Sequence, residues 1–316
     1  MGYPEAVWRN FPRTLADFEA AFPDEESCRR FLIELRWGAV PICSRCEGNE
    51  LWELSNGRFE CSRCGRQVSV TAGTPLHGTR KPLKLWFRAV WEMTTHKGGI
   101  SAKDLQRIMG FGSYETAWCW LHKLRRCAFS RARQPLAGPV QLDDGYIGGV
   151  DERPGRPKGN KALVLVAAEP GGRVRLEHSP DLTTQSVKSF VCRNLSSESR
   201  ITTDGYRSFN KKSLGPRPHH QHVQKKKRHI TFDPLQHAHF ALSLFKRCWI
   251  GTYHGAISRK HLQVYLDEFE FRYNRRKTVG VGRIAARLFQ SLVGLPPLPY
   301  SSMVASTVPC QRFATA

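Results

Sequence analysis

Hydrophobic positions follow two regimes, with helical spacing dominating up to about residue 133 and strand-like runs beyond it. From Leu15 to Trp37 the pattern predicts one or two short helices, with Asp24 placed to cap a run in which Cys28, Phe31, Leu32 and Leu35 recur at helical intervals. Gln67 to Thr71 alternates like a strand, a Gly-Thr-Pro turn follows, and Leu83 to His96 carries Leu85, Phe87, Val90 and Trp91 at helical spacing. The segment ISAKDLQRIMGFGSYETAWCWLHKLRRC predicts a helix capped by Ser101, a turn through Gly110 to Gly112, and a second helix from about Tyr114 to Cys127. That spacing suits a helix-turn-helix, and also a plain helical hairpin.

Gln134 to Gly138 reads as a linker, after which the pattern turns to β. Pro139 to Ile147, Lys161 to Ala168 and Arg173 to His178 predict three strands, the last two joined by a tight Pro-Gly-Gly turn. Thr183 to Asn194 predicts a helix, Ser199 to Thr203 a short buried strand, and Gly205 to Leu214 another helix. Two long helices should span about Pro234 to Ile250 and Ser258 to Arg275. The stretch DERPGRPKGN between the first two strands predicts a mobile loop, and residues 281–316 a loose tail. The class is therefore α/β, preceded by a helical region.

Charge adds a partner. Lys plus Arg outnumber Asp plus Glu by 49 to 27, and such a positive field favours a polyanion, nucleic acid by default. No stretch approaches the roughly 18 apolar residues a membrane span needs. The N-terminal MGYPEAVWRNFPRT lacks the apolar core of a signal peptide, and Ala6 replaces the hydroxyl residue of a myristoylation site, so a cytoplasmic protein is expected. Lys123, Arg125 and Arg126 close the second helix of the helical pair, where phosphate contact is expected. Between Gly205 and His229 there is no acidic residue, while Arg207, Lys211, Lys212, Arg217, Lys225, Lys226, Lys227 and Arg228 crowd together; this predicts a DNA-backbone footprint.

In a reducing compartment the ten cysteines should be free or metal-bound. Cys43, Cys46, Cys61 and Cys64 form two CxxC pairs separated by fourteen residues, spacing that wraps one metal between two knuckles. Four thiolates close a tetrahedral zinc site with no open position, so this metal stabilises and does not catalyse. Leu51 to Leu54 and Arg58 to Glu60, split by Asn56-Gly57, predict the hairpin of a zinc ribbon. Cys28, Cys119, Cys127, Cys192, Cys248 and Cys310 are expected to be buried thiols.

Asp143 and Asp144 sit in LDDGYIGG on the first predicted strand, with side chains on opposite faces, so only one can enter a shared site. Asp204, in TTDGYRSF, ends the predicted buried strand. Carboxylates from neighbouring strands are what two divalent ions need when clamping a phosphoryl transfer.

These two motifs, with FKRCWIGTYHGAISRKHLQVYLDEFEFRYNRR, resemble the DDE-class transposases of bacterial insertion sequences, in the ISXO-like group that carries an N-terminal zinc ribbon. The resemblance covers about Phe18 to Lys277 and implies a ribonuclease H-like catalytic domain. Its first two catalytic aspartates fall on Asp143 and Asp204. Its third catalytic position lies seven residues before a helical Lys; Lys246 matches that Lys, which puts the slot at His239, 35 residues after Asp204. Many relatives carry Glu there. Three alternatives follow: an Asp-Asp-His site, a weakened or non-catalytic DNA-binding protein, or substitution by Asp233, Glu268 or Glu270. Lys246 and Arg247 would touch the phosphate beside the scissile bond.

The implied organisation is an N-terminal helical segment (1–40), a zinc ribbon (41–75), a helix-turn-helix region (76–133), the catalytic domain (139–280) and the tail (281–316). The implied activity is cleavage at element ends and strand transfer into target DNA, with Mg²⁺ or Mn²⁺ as catalytic metal and Zn²⁺ as structural metal. The implied partners are terminal inverted repeats, target DNA and further copies of the chain, in a protein that is nucleoid-associated when bound. A zinc-ribbon nuclease that cuts without joining is the rival enzyme.

Overall fold

The computed structural model describes residues 11–38, 41–43, 45–129, 133–148, 161–222 and 233–305. The chain divides into two compact units, one of residues 1–128 with 277–307, the other of residues 129–276 with 308–316. Among the described residues no helix is long and apolar enough to cross a membrane. The predicted loop at 151–160 lies outside the described residues.

The first unit opens with α1 (Leu15–Ala21) and α2 (Glu25–Trp37), each started by a capping box, Thr14 with Asp17 and Asp24 with Ser27. A small antiparallel sheet follows, β1 (Leu51–Glu53), β2 (Phe59–Cys61) and β3 (Gln67–Val68). Next come α3 (Leu83–Thr95), α4 (Ala102–Met109) and α5 (Tyr114–Ala128). Glu25 substitutes for the cap that α3 lacks, its carboxylate accepting from the N–H groups of Leu83 at 2.7 Å and Lys84 at 3.1 Å. Ser101 caps α4, and Gly110 ends it in the left-handed conformation, φ 64°.

The tail departs from the looseness predicted for it. Gly282–Gly294 forms α10 and Tyr300–Ala305 forms α11, and α10 packs into the first unit. Its Phe289 ring lies 4.4 Å from Phe87 and 5.5 Å from Phe31, inside an aromatic cluster with Phe11, Phe18 and Phe22. Ile284, Ala285, Leu288, Phe289 and Leu292 supply the buried helical face. A Cβ on Gly282 would sit 1.8 Å from the Pro12 carbonyl oxygen, so the close entry of this helix requires glycine.

The second unit is a five-stranded sheet in the order β6-β5-β4-β7-β8, where β4 is Pro139–Ile147, β5 Ala162–Ala168, β6 Val174–Ser179, β7 Arg200–Thr203 and β8 His219–Gln221. β4, β5 and β6 form an antiparallel meander, and β7 and β8 add in parallel beyond β4. β5 is buried along its whole length, as its apolar run predicts. One face packs on α6 (Thr184–Asn194), the other on α8 (Gln236–Gly251) and α9 (Leu262–Tyr273). The helix predicted over Gly205 to Leu214 shortens to α7, Lys211–Leu214, because Asp204 and Asn210 turn the chain with side-chain acceptors for Tyr206, Lys212 and Ser213 N–H.

Helix α9 closes the free edge of the sheet. On β6, Val174, Leu176 and His178 point their peptide groups away from β5. Asn274, the C-cap residue of α9, accepts from Val174 N–H at 2.7 Å and donates to its carbonyl at 3.1 Å. Glu270 accepts from Leu176 N–H at 3.2 Å, and Gln263 accepts from His178 N–H at 2.9 Å. Polar side chains thus complete the edge hydrogen bonds that another strand would otherwise make.

Candidate active site and zinc centre

The zinc centre is built by two knuckles. Glu47 N–H donates to the Cys43 carbonyl and Gly65 N–H to the Cys61 carbonyl, and both donors, each just past the second cysteine of its pair, have positive φ, 57° and 64°. The four sulfurs lie within 4.8 Å of one another, with Cys43 to Cys64 and Cys46 to Cys61 at 3.6 Å. Sulfurs about 2.3 Å from one tetrahedral zinc stand roughly 3.8 Å apart, so the quartet fits that ion. Backbone N–H groups of Arg45 and Cys46 lower the Cys43 thiol to about 6, whereas burial and the neighbouring thiols raise Cys46 to about 11, so Cys43 is the first of the two to offer a metal its thiolate. Of the other cysteines, Cys28 and Cys127 are buried as predicted and burial pushes both thiols up to about 12, whereas Cys119 and Cys248 are half-buried and Cys192 is exposed; Cys310 lies outside the described residues.

In the second unit, β4 presents Gln141, Asp143, Gly145 and Ile147 towards α8, and Leu142 and Leu163 belong to the core on the opposite face. Of the Asp143-Asp144 pair, Asp143 therefore faces the helix, and it is 7% exposed. The Gln141 side chain caps α8, accepting from His237 N–H at 2.8 Å and Ala238 N–H at 3.2 Å. A Cβ at Gly145 would come within 2.7 Å of Leu242 Cδ1, so glycine permits α8 to lie close on the strand.

That approach brings His239 to Asp143. Nε2 lies 2.9 Å from Asp143 Oδ2, and Nδ1 lies 2.6 Å from Asp233 Oδ2. The hydrogen bond to Asp143, opposed by partial burial and reinforced by Asp233, raises the imidazole to about 9. Asp233 is lowered, its partial burial outweighed by the hydrogen bonds from His239 and from Leu235 N–H.

β4 and β7 pair in parallel as far as Gln141 opposite Thr202, and Asp204 follows two residues later, just past the end of β7. The Asp204 carboxylate accepts from Tyr206 N–H at 3.0 Å. Among the described residues the cysteine quartet is the one group of three or more ligating side chains whose donor atoms converge. Asp143 and His239 touch; Asp204 does not complete a converging trio with them. The 2.9 Å between His239 Nε2 and Asp143 Oδ2 is a hydrogen-bond distance and is also close to the roughly 3 Å between two donors on one octahedral ion, which would take the place of the shared proton.

The proposed substitutes differ. Asp233 touches His239, while Glu268 is fully buried against Arg272 at 3.1 Å and Tyr253 at 3.3 Å, and Glu270 serves β6, Arg133 and Arg175. Both glutamates are committed to those partners.

Lys246 and Arg247 are exposed on α8, as are His239 and Phe240. In the first unit, Lys123 is half-buried with its ammonium 5.8 Å from the Trp86 ring, and burial lowers its pKa. Arg126 is half-buried. Arg125 corrects the reading of the basic helix end: it is 1% exposed and donates to the Ile100 carbonyl at 3.3 Å, because it falls on the buried face with Leu121, Leu124 and Ala128. It is unavailable to a phosphate. Lys225, Lys226, Lys227 and Arg228 lie outside the described residues.

Sequence reasoning missed Gln141 and Gly145. Their signal was present: a polar side chain and a glycine two residues either side of Asp143 share its face of the strand.

Comparison with known families places two domains on the chain. Residues 135–274 match the ISXO2-like transposase domain, and residues 23–67 match the transposase zinc-ribbon domain. A relative described as an uncharacterized protein in transposable element ISH50, from Halobacterium salinarum, is 22% identical over 273 residues, 79% of this chain and 91% of the relative.

Proposed function

This chain belongs to the ISXO-like transposases that carry an N-terminal zinc ribbon, and we propose that it cuts DNA at the ends of an insertion element and joins those ends to target DNA. The observation that carries the reading is the contact of Asp143 with His239; Asp204 follows the end of β7, the strand paired in parallel with β4. The sheet of β4 to β8 with α6 and α8 on its two faces supports a ribonuclease H-like catalytic domain.

Asp143, Asp204 and His239 would hold a divalent ion, Mg²⁺ or Mn²⁺, which supplies Lewis acidity when bound. An imidazole is a softer donor than the carboxylate found in many relatives, so Mn²⁺ should serve better than Mg²⁺. Lys246 and Arg247, seven and eight residues beyond His239 on the same helix, stand about 10 Å along it and would hold the DNA backbone. In the first step water attacks the phosphorus at the element end and the P–O3′ bond breaks, leaving a 3′ hydroxyl and a 5′ phosphate. In the second, that hydroxyl attacks a target phosphate and displaces the target's 3′ oxygen, so one phosphodiester replaces another.

The paired helices α4 and α5 supply a helix-turn-helix for the terminal repeats, with Lys123 and Arg126 retained as phosphate contacts, and the zinc ribbon is its rigid neighbour in sequence. Lys225 to Arg228 add further backbone contacts. Several copies assemble on DNA in the cytoplasm, at the nucleoid. The test is incubation with duplexes bearing the element's ends, Mn²⁺ and a target plasmid: joined product supports the transposase, cutting alone the nuclease, and binding alone the non-catalytic protein.

A further inference from the structure

We infer that Asp233 is a positioning residue that fixes the His239 ring, so that Asp233 and His239 together occupy the role that a single acidic side chain fills elsewhere; the inference rests on the proposed site. The His239 ring stands between two carboxylates, one at each nitrogen, Asp233 at Nδ1 and Asp143 at Nε2. An imidazole offers a metal one nitrogen, and the partner of the other nitrogen decides which. With Nδ1–H committed to Asp233, Nε2 is the nitrogen turned towards Asp143.

Asp233 is itself held. Its Oδ2 takes the imidazole while its Oδ1 accepts from Leu235 N–H at 2.9 Å. It sits just ahead of α8, whose first turn contains no acidic residue, so its charge also complements the positive end of that helix. Gln141 fixes the same turn from β4. The ring is therefore aimed by its own helix, by the strand, and by a carboxylate six residues upstream. Asp233 is no third ligand in this arrangement, because the ring separates it from Asp143.

The test uses the full-length zinc-loaded protein and Mn²⁺ alone, with free Mn²⁺ followed by electron paramagnetic resonance. Asp233→Ala should weaken Mn²⁺ binding roughly 10- to 100-fold, and Asp233→Asn, whose amide oxygen can still accept from Nδ1–H, should recover most of it. The decisive comparison is made in a His239→Glu background. There Asp233→Ala should cost nothing, since no ring remains to be aimed. An equal loss in both backgrounds would overturn the inference by making Asp233 a ligand or a support for the fold, and so would unchanged binding in Asp233→Ala alone. Mn²⁺ binding that survives Asp143→Ala undiminished would instead remove the site itself, and the inference with it.

Discussion

The side-chain oxygen of Gln141 accepts the backbone N–H of His237 at 2.8 Å, so strand β4 itself caps the helix that carries His239. The strand that supplies Asp143 thereby sets the height of its partner. Gln141→Ala should destabilise the protein by about 1 kcal/mol, the usual worth of a helix cap, measurable by urea unfolding. Cleavage should fall by more than that loss accounts for, because the start of α8 is no longer registered on β4. Unchanged cleavage would mean that packing alone places His239.

Gly145→Ala probes the same approach from the middle of the helix. The new methyl would meet Leu242 Cδ1 at 2.7 Å, and overpacking of this kind costs about 1–3 kcal/mol. Leu242→Ala in the same chain should recover part of the loss relative to the sum of the two single changes. Strict additivity in thermal unfolding would contradict the contact.

The ionisation of His239 has a signed consequence. Its pKa is raised in the folded protein to about 9, so its contribution to stability is full below the unfolded value near 6.5 and is lost as pH rises through 9. Asp233 is lowered, and its contribution disappears only as pH falls through its own folded value. Without divalent metal, wild type should therefore exceed His239→Gln in stability at pH 6 and lose that margin by pH 10. Histidine NMR should place the midpoint near 9, and Asp143→Asn should lower it.

For the zinc ribbon, Cys43→Ser or Cys61→Ser should abolish retention of one equivalent of zinc and expose residues 41–68 to protease, since a ribbon this small depends on its metal. Wild type stripped with a strong chelator should behave alike and recover on adding Zn²⁺. A protease pattern independent of zinc would contradict the centre.

The edge of the sheet offers a test of a different kind. Asn274→Leu removes both hydrogen bonds to Val174, leaving buried peptide groups unpaired at about 1–3 kcal/mol and reopening β6 to another strand. Lower stability and concentration-dependent association by light scattering should appear together.

Much of this fold was legible because its signals are local. The alternation of VQLDDGYI predicts β4 with the bounds it has, and Asp24 and Ser101 cap the helices read from them. β8 was not legible, since His219–Gln221 is exposed throughout and has no apolar alternation. The tail misled through its prolines, although Leu288, Phe289 and Leu292 already had helical spacing. At the site, the sequence placed His239 by a motif interval. That its ring would lie between Asp143 and Asp233 depends on how α8 crosses β4, and on Gln141 reaching the helix from 96 residues away. The burial of Arg125 likewise follows from which face of α5 the aromatic core takes, not from its neighbours in sequence.

The central claim is that Asp143 and His239 form the catalytic pair of a DNA-joining enzyme. The most direct measurement is strand transfer by purified protein on pre-cleaved element ends with Mn²⁺, comparing wild type with Asp143→Ala and His239→Ala. The account predicts joined product from wild type, loss of at least about a thousandfold for Asp143→Ala, a large loss for His239→Ala, and nearly unchanged DNA binding by both. Joining at the wild-type rate by either variant would contradict it.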